Sequence, residues 1–402
     1  MSRLYFDQNA TTSQSESVTA AMVEAMTSGW ANPSSIHRSG QEARRQVELA
    51  RACVSALIGG DPKELVFTSG GTESVNTAIR SLLQERGQRR VVLTSAVEHS
   101  AVREQMEVLG CDGIECVHLG MDAAGRVDPA SLESLIAQRG DDIAMVSVMW
   151  ANNETGVIEP VEQLACMCRD AGIPMHSDAT QWVGKMPIDV SALPLDMLSF
   201  AGHKFHGPKG IGGLWVREGV QTQSMVIGGG QERGRRGGTE NVPGIVGMGV
   251  AASEAMDWLT AGGHDAMMPL RDRFEKAVRR AVPTICINSE SAPRIWSTSN
   301  IGFQGIEAEL LLLVLSEGGL DASAGSACSS GAVKNSSVLE AMGRQPCQID
   351  SAAYGSVRFS WCRDTTAEML DAACEHIGKA IEVIAGLHPP SSLDAQEVSE
   401  LS

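Results

Sequence analysis

The sequence alternates short apolar runs with helical periodicities from about residue 40 to about residue 260. A helix is predicted over 41–58, because apolar residues recur there at spacings of three and four. Strands are predicted over 65–68, 90–94, 143–149, 174–177 and 197–200. This order predicts an α/β fold with a mostly parallel sheet covered on both faces. In such sheets ligands bind beyond the carboxyl ends of the strands.

The pattern changes after residue 260, where a helix (268–282), a Gly/Ser/Ala-rich segment (318–331) and a strand (356–360) are predicted. A chain of this length favours more than one core. We therefore predict a large domain over 15–260. A smaller α/β domain is predicted from residues 1–14 and 261–386. The tail, 387–402, is expected to be disordered.

The charge balance bears on the partners that the chain can take. A formal net charge of −17 argues against nonspecific binding of nucleic acid or of an anionic membrane surface. No apolar run is long enough to span a membrane and no signal peptide is visible, so a cytoplasmic protein is expected. Its ten cysteines are then read as thiols. Cys166 and Cys168, two apart on a predicted helix, should point to nearly opposite faces rather than share a zinc ion.

Three motifs that follow predicted strands could together bind a phosphorylated cofactor. In the segment 68–74 (TSGGTES), Gly70 and Gly71 let backbone N–H groups approach an anion, and the Thr72 hydroxyl at the helix start could complete a phosphate cradle. Thr72 could equally be a plain helix N-cap. Asp178 could pair with a pyridinium nitrogen, or again cap a helix. Lys204 follows an apolar strand, where partial desolvation favours imine chemistry with an aldehyde. Lys185 and Lys209 are interpreted as solvated loop lysines.

Two glycine-rich segments complete the set of candidates. The segment 228–241 (GGGQERGRRGGTEN) is interpreted as a loop that delivers Thr239 to a phosphate, in preference to an RNA-binding patch, which the net charge and lack of aromatics disfavour. In 322–331 (ASAGSACSSG), Cys328 has only small neighbours. Such a cysteine is expected to be accessible and capable of thiolate chemistry.

Taken together, these segments resemble the group I cysteine desulfurases, the nitrogen-fixation and iron–sulfur-cluster-assembly type. The resemblance extends from 5–12 (YFDQNATT) to 356–360 (SVRFS). Between them, 32–38 (NPSSIHR), 97–99 (VEH), 152–156 (NNETG) and 202–204 (GHK) occur in the family's order. It implies the fold type I of pyridoxal-phosphate (PLP) enzymes and the conversion of L-cysteine to L-alanine, with sulfur passed on for iron–sulfur cluster assembly or other thio-cofactors.

The resemblance also implies a role for each candidate residue. Lys204 binds PLP covalently, Asp178 pairs with the ring nitrogen, Gln181 contacts the ring hydroxyl oxygen and His99 stacks on the ring. The phosphate is held by Gly71, Thr72, His203 and, from the other subunit of a homodimer, Thr239. Asn153 and Arg358 hold the substrate carboxylate, and Cys328 carries the persulfide and is a candidate transient ligand of an iron–sulfur cluster shared with a scaffold partner.

One position departs from the family pattern. Ala201 stands where the family commonly has a serine that binds the phosphate, so somewhat weaker PLP retention is expected, by about 1 kcal/mol. A selenocysteine lyase or another PLP enzyme on the same scaffold, and a non-catalytic sulfur-transfer scaffold, remain as alternative functions.

Overall fold

The computed structural model describes residues 3–85, 87–324, 336–343 and 354–387. Its largest sheet has seven strands in the order β2-β8-β7-β6-β5-β3-β4, parallel except for β8, which is antiparallel to both neighbours. These strands are β2 (Leu65–Thr68), β3 (Val91–Thr94), β4 (Glu115–His118), β5 (Ile143–Ser147), β6 (Met175–Asp178), β7 (Met197–Ala201) and β8 (Gly212–Val216). The predicted mostly parallel sheet is confirmed.

Both faces of this sheet are covered by packed apolar side chains, because neighbouring residues of one strand belong to different apolar clusters. Leu65 and Phe67 belong to one cluster and Val66 to another; Leu198 and Met197 are divided in the same way. Side chains alternate between faces along a strand, so both faces are buried. The helices of this part of the chain are α1 (Glu16–Thr27), α2 (Arg38–Ile58), α3 (Gly71–Glu85), α4 (Ser100–Cys111), α5 (Pro129–Arg139), α6 (Val161–Asp170) and α7 (Val242–Thr260).

A third apolar cluster combines Phe6 with residues from 267–384. It packs against an antiparallel sheet in the order β12-β10-β9 and a parallel pair, β1-β11. The elements are β1 (Leu4–Tyr5), α8 (Gly263–Ala281), β9 (Ile285–Ile287), β10 (Thr298–Gln304), α9 (Ala308–Glu317), β11 (Leu320–Asp321), α10 (Ser337–Ala341), β12 (Tyr354–Ser360) and α11 (Ala367–Leu387). The division into domains 15–260 and 1–14 with 261–386 stays a prediction.

Predicted and observed elements differ mainly at their ends. The helix predicted over 41–58 begins three residues earlier, at Arg38, where the His37 side chain accepts a hydrogen bond from the Gly40 N–H. The strand predicted over 143–149 ends at Ser147. On α6, Cys166 is exposed and Cys168 is buried, as their spacing predicts. No helix among the described residues is both long and apolar enough to cross a membrane.

Candidate functional site

A pocket of about 340 Å³ lies beyond the carboxyl ends of β3, β5, β6 and β7. Every predicted site residue except Cys328 and Thr239 lines it. The lining is Asn9, Ala10, Gly71, Thr72, His99, Ala101, Met149, Ala151, Asn153, Asp178, Thr180, Gln181, Ala201, His203, Lys204 and Arg358. The structure thus brings together residues as far apart in the sequence as Asn9 and Arg358.

Lys204 ends a short turn that follows β7 directly. Its Nζ donates hydrogen bonds to the carbonyl oxygens of Asn9, at 2.6 Å, and of Ala10, at 2.8 Å. These acceptors come from the segment after β1, which is distant in sequence. The amine is therefore held at the pocket wall by neutral carbonyl groups, which leave it able to react once it is released.

Asp178 is the last residue of β6 and is 4% exposed. Its Oδ1 accepts a hydrogen bond from the Thr180 N–H at 2.9 Å, in a turn rather than at the start of a helix. The alternative reading of Asp178 as a helix N-cap is therefore wrong. A buried carboxylate beside a pocket is suited to a positively charged ring nitrogen.

His99 precedes α4 and caps it, because its Nδ1 accepts a hydrogen bond from the Ala101 N–H at 3.1 Å. That bond assigns the proton of a neutral imidazole to Nε2. Burial lowers the pKa of His99, and the Lys204 charge acts in the same direction, while Asp178 opposes them. The ring is therefore neutral near pH 7 and offers an Nε2–H donor.

The start of α3 also lines the pocket, through Gly71 and Thr72. The helix begins at Gly71, so Thr72 lies inside it and is not the N-cap. Backbone N–H groups at such a start can bind an anion. His203 lies nearby, with Nδ1 3.1 Å from the Thr11 hydroxyl oxygen, and burial lowers its pKa to about 4. A neutral His203 can contribute a hydrogen bond to a phosphate without adding charge.

Arg358 lies on β12, with its side chain 3% exposed. Nη1 donates to the Asn153 carbonyl oxygen at 3.1 Å and Nη2 to Asp7 Oδ1 at 2.5 Å. The guanidinium plane is therefore fixed at the pocket wall. A planar group held in this way can bind a carboxylate with two parallel hydrogen bonds.

Two residues of this network were not recognised in the sequence. Asn9 is 2% exposed and is bonded to both Lys204 and Gln181 through its backbone oxygen. Lys185 is 4% exposed, so its interpretation as a solvated loop lysine is wrong. Its Nζ donates to Gln181 Oε1 at 2.6 Å and to Asn9 Oδ1 at 3.0 Å, and burial lowers its pKa to about 7. Lys209 is exposed.

Thr239 lines a different pocket, of about 210 Å³, together with residues of β2 and of the segment 236–241. The arginines of this loop bind their own chain. Arg236 pairs with Glu73, and Arg235 donates to the carbonyl oxygens of Lys63 and Leu65. Within the described residues of a single chain, Thr239 is therefore not brought to the Lys204 pocket.

Cys328 lies outside the described residues, but both flanking segments are attached next to the pocket. Ser323 and Arg358 exchange two backbone hydrogen bonds, of 3.2 and 2.6 Å. After the gap, the Ser336 hydroxyl donates to Glu154 Oε2 at 2.5 Å. Glu154 is adjacent in sequence to Asn153.

The pocket has an unmet polar group that a ligand could satisfy. Asn153 Oδ1 is buried and has no hydrogen-bond partner among the described residues. Leaving such an atom unpaired costs about 1–3 kcal/mol. An amine, a buried carboxylate, a helix start and this acceptor around one cavity fit a PLP molecule with an amino-acid substrate. Fold and pocket together define a PLP-dependent enzyme of fold type I.

Comparison with known proteins agrees with this class. The family profile "Aminotransferase class-V" matches residues 4–372. The chain is 41% identical to cysteine desulfurase 2 of Trichormus variabilis, over 98% of this chain and 96% of that protein. It is 40% identical to the cysteine desulfurase NifS of Azotobacter vinelandii, over 97% and 95%. A solved NifS-like protein superposes with a TM-score of 0.86 at 34% identity, covering 95% of this chain and all of that one. The chain belongs to the cysteine desulfurases of the class-V aminotransferase family, which are PLP-dependent enzymes.

Proposed function

We propose that this chain converts L-cysteine to L-alanine, with PLP as cofactor, and leaves the sulfur as a persulfide on Cys328. The observation that carries the proposal is the convergence of Lys204, Asp178 and Arg358 on one pocket, from three separate elements. Lys204 is placed to bind the cofactor, and Asp178 to pair with its ring nitrogen. Arg358 is placed to bind the carboxylate of an amino acid.

When PLP is bound, it supplies an electron sink that makes the Cα proton of the substrate acidic. The Lys204 amine accepts that proton once its bonds to the Asn9 and Ala10 carbonyl oxygens are broken. The neutral His99 donates from Nε2 to a developing negative charge. Gln181 contacts the ring hydroxyl oxygen. Gly71, Thr72 and His203 bind the phosphate.

The substrate is oriented through its carboxylate. Arg358 offers two parallel N–H donors, and its bonds to Asp7 and to the Asn153 carbonyl oxygen hold the guanidinium in place. Asn153 Oδ1 is then free to accept a hydrogen bond from the bound ligand. Anchoring at the carboxylate selects α-amino acids and fixes the side chain as the variable part.

Sulfur leaves the substrate when the Cys328 thiolate attacks its sulfur atom. The new S–S bond forms as the C–S bond breaks, the electron pair passes to the organic product, and protonation of that product gives alanine. Ser323 lies five residues before Cys328 in the sequence. Its backbone hydrogen bonds to Arg358, a residue of the pocket, support the proposed role of Cys328.

The remaining proposals concern the homodimer, the sulfur acceptor and the domains. We propose a homodimer in which Thr239 reaches the phosphate site of the other subunit, because Thr239 lies outside its own chain's pocket. A cytoplasmic iron–sulfur scaffold protein is the proposed sulfur acceptor. Cys328 would transiently share a cluster with it. The domains proposed are 15–260, and 1–14 with 261–386.

The experiment is to measure sulfide release from L-cysteine by Cys328→Ser in the presence of dithiothreitol. Release should fall to background while the visible PLP absorbance stays. Cys111→Ser, which alters an exposed thiol on α4, is the matched control and should remain active. Full activity in Cys328→Ser would overturn the persulfide role. Competition between L-cysteine and L-selenocysteine tests the alternative of a selenocysteine lyase.

A further inference from the structure

Lys185 is a buried lysine next to the cofactor pocket, and neither acceptor of its Nζ carries a negative charge. Both acceptors of its Nζ are neutral amide oxygens, Gln181 Oε1 and Asn9 Oδ1. The cations of Lys204 and Arg358 act against its charge. A buried ammonium is costly unless it is paired. Packing alone would be served better by an apolar residue, so the lysine calls for another explanation.

The contact with Lys185 determines which way the Gln181 amide points. The protonated Lys185 nitrogen has no lone pair and can only donate, so it takes the Gln181 Oε1 acceptor. The amide nitrogen, Nε2, then points the other way and donates one N–H to the Asn9 carbonyl oxygen at 3.0 Å. An amide nitrogen carries two hydrogen atoms. The second N–H therefore remains for the pocket that Gln181 lines.

We propose that Lys185 is a positioning residue: it holds Gln181 Oε1 inside the protein so that an Nε2–H is presented to the cofactor's ring oxygen. The proposal rests on the proposed function, in which Gln181 contacts that oxygen. The opposite amide orientation would place a carbonyl oxygen against an oxygen that is negatively charged when ionised, which is repulsive. Without Lys185, only the Asn9 carbonyl oxygen, which accepts from Gln181 Nε2 at 3.0 Å, would oppose that flip.

Asn9 connects the Lys185–Gln181 contact to Lys204, the proposed cofactor-binding lysine. Its carbonyl oxygen accepts from both Gln181 Nε2 and Lys204 Nζ, at 3.0 and 2.6 Å. Its side-chain Oδ1 accepts from Lys185, and its Nδ2 donates to Thr298 Oγ1 at 2.8 Å. Asn9 is thus fixed from several directions. Lys185 consequently acts on an amide whose other contact is already rigid.

The test uses Lys185→Met, which keeps an unbranched side chain only one atom shorter and removes the donor, with Lys209→Met as the exposed control. The measurements are the pH midpoint of the visible absorbance of the PLP-loaded protein and the PLP dissociation constant. Lys185→Met should move the midpoint and weaken PLP binding by about tenfold. Lys209→Met should do neither. Retained near-UV circular dichroism shows that the variant is folded.

A double-mutant cycle separates positioning from a general effect of charge. Gln181→Leu removes the amide, and Lys185→Met should then add no further shift of the midpoint. Equal shifts in the presence and absence of Gln181 would overturn the proposal, as would a Lys185→Met variant that titrates like the parent. If Lys185→Met does not fold, Lys185→Gln, which keeps an N–H donor, should titrate like the parent; a midpoint displaced as in Gln181→Leu would contradict the proposal.

The outcome is separable from that of the proposed function. A parent protein that shows the PLP absorbance but releases no sulfide from L-cysteine contradicts the desulfurase activity. The titration of Lys185→Met still reports on the Gln181 amide in that case. Conversely, an active parent whose Lys185→Met variant keeps its absorbance midpoint contradicts only the role of Lys185.

Discussion

Arg51 and Glu232 form a two-armed ion pair in the interior, with Nη1–Oε2 and Nη2–Oε1 distances of 2.8 and 2.7 Å. Both side chains are at most 4% exposed. Glu232 Oε2 also accepts from the Phe67 N–H at 2.9 Å, and the guanidinium lies 4.7 Å from the Phe67 ring centre. Glu232 therefore attaches the loop that carries Thr239 to helix α2 through Arg51 and to strand β2 through the Phe67 N–H.

Removing one partner of this pair should destabilise the protein strongly. Arg51→Met leaves the buried Glu232 carboxylate without its ion-pair partner, at a cost of about 3–5 kcal/mol. Glu232→Gln should cost less, because Arg51 keeps its contact with Glu48 at 3.2 Å. Urea unfolding of the cofactor-free chain measures the loss. Arg45→Met is the matched control, since Arg45 and Glu42 are also 2.7 Å apart but exposed. That change should cost at most about 1 kcal/mol. Equal losses at both sites would contradict the argument.

Arg358→Lys should impair substrate binding more than turnover. A lysine keeps the positive charge but cannot form two parallel hydrogen bonds to a carboxylate. We expect KM for L-cysteine to rise by about ten- to a hundredfold, with a smaller change in kcat. Steady-state sulfide release measures both, and Arg273→Lys, at an exposed position of α8, serves as control. An unchanged KM with a lowered kcat would exclude a carboxylate-binding role.

Glu98→Gln should alter how stability depends on pH. Burial raises the pKa of Glu98 from 4.5 to about 8. Between these values the native state holds a proton that the unfolded state has lost, so the parent loses stability as pH rises. The difference in unfolding free energy, parent minus variant, should therefore fall by about 1.4 kcal/mol per pH unit in this window.

The buried histidines contribute equally to the pH dependence of the unfolding free energy in parent and variant. Their contributions therefore cancel in that difference. Burial lowers the pKa of His176 and of His203 to about 4, so their contribution to stability rises with pH. Urea unfolding at several values between about pH 5 and about pH 7.5 gives the comparison. Glu159, whose pKa burial also raises to about 8, remains in both proteins. A difference that does not vary with pH would show that Glu98 is ionised in the native state.

Much of the pocket was predictable because its chemistry follows the strands. Asp178 and Lys204 stand directly after apolar runs, and the carboxyl ends of parallel strands share one edge of the sheet. Asn9 left no such signal. Its role depends on the packing of the segment after β1 against residues far along the chain, and a sequence does not display that contact.

Lys185 shows a different limit of sequence reasoning. A lysine in a polar turn is normally solvated, and burial of the lysine depends on the surrounding tertiary packing. Trp296, for example, donates from its indole nitrogen to the Lys185 carbonyl oxygen at 2.9 Å, from another part of the chain. Thr239 lines a separate pocket of its own chain, so its role at a phosphate of the other subunit stays a prediction that the fold of one chain does not test.

The attachments of Ser323 to Arg358 and of Ser336 to Glu154 have a consequence for protein engineering. The residues on both sides of the stretch that contains Cys328 are hydrogen-bonded to other parts of the chain. A chimera that takes this stretch from a relative, and leaves strand β12 and the Glu154 region unchanged, combines anchors from two different proteins. Successful exchange should require residues 154 and 336 to be transferred together, because their contact is between side chains. The Ser323–Arg358 bonds are between backbones and should tolerate the exchange.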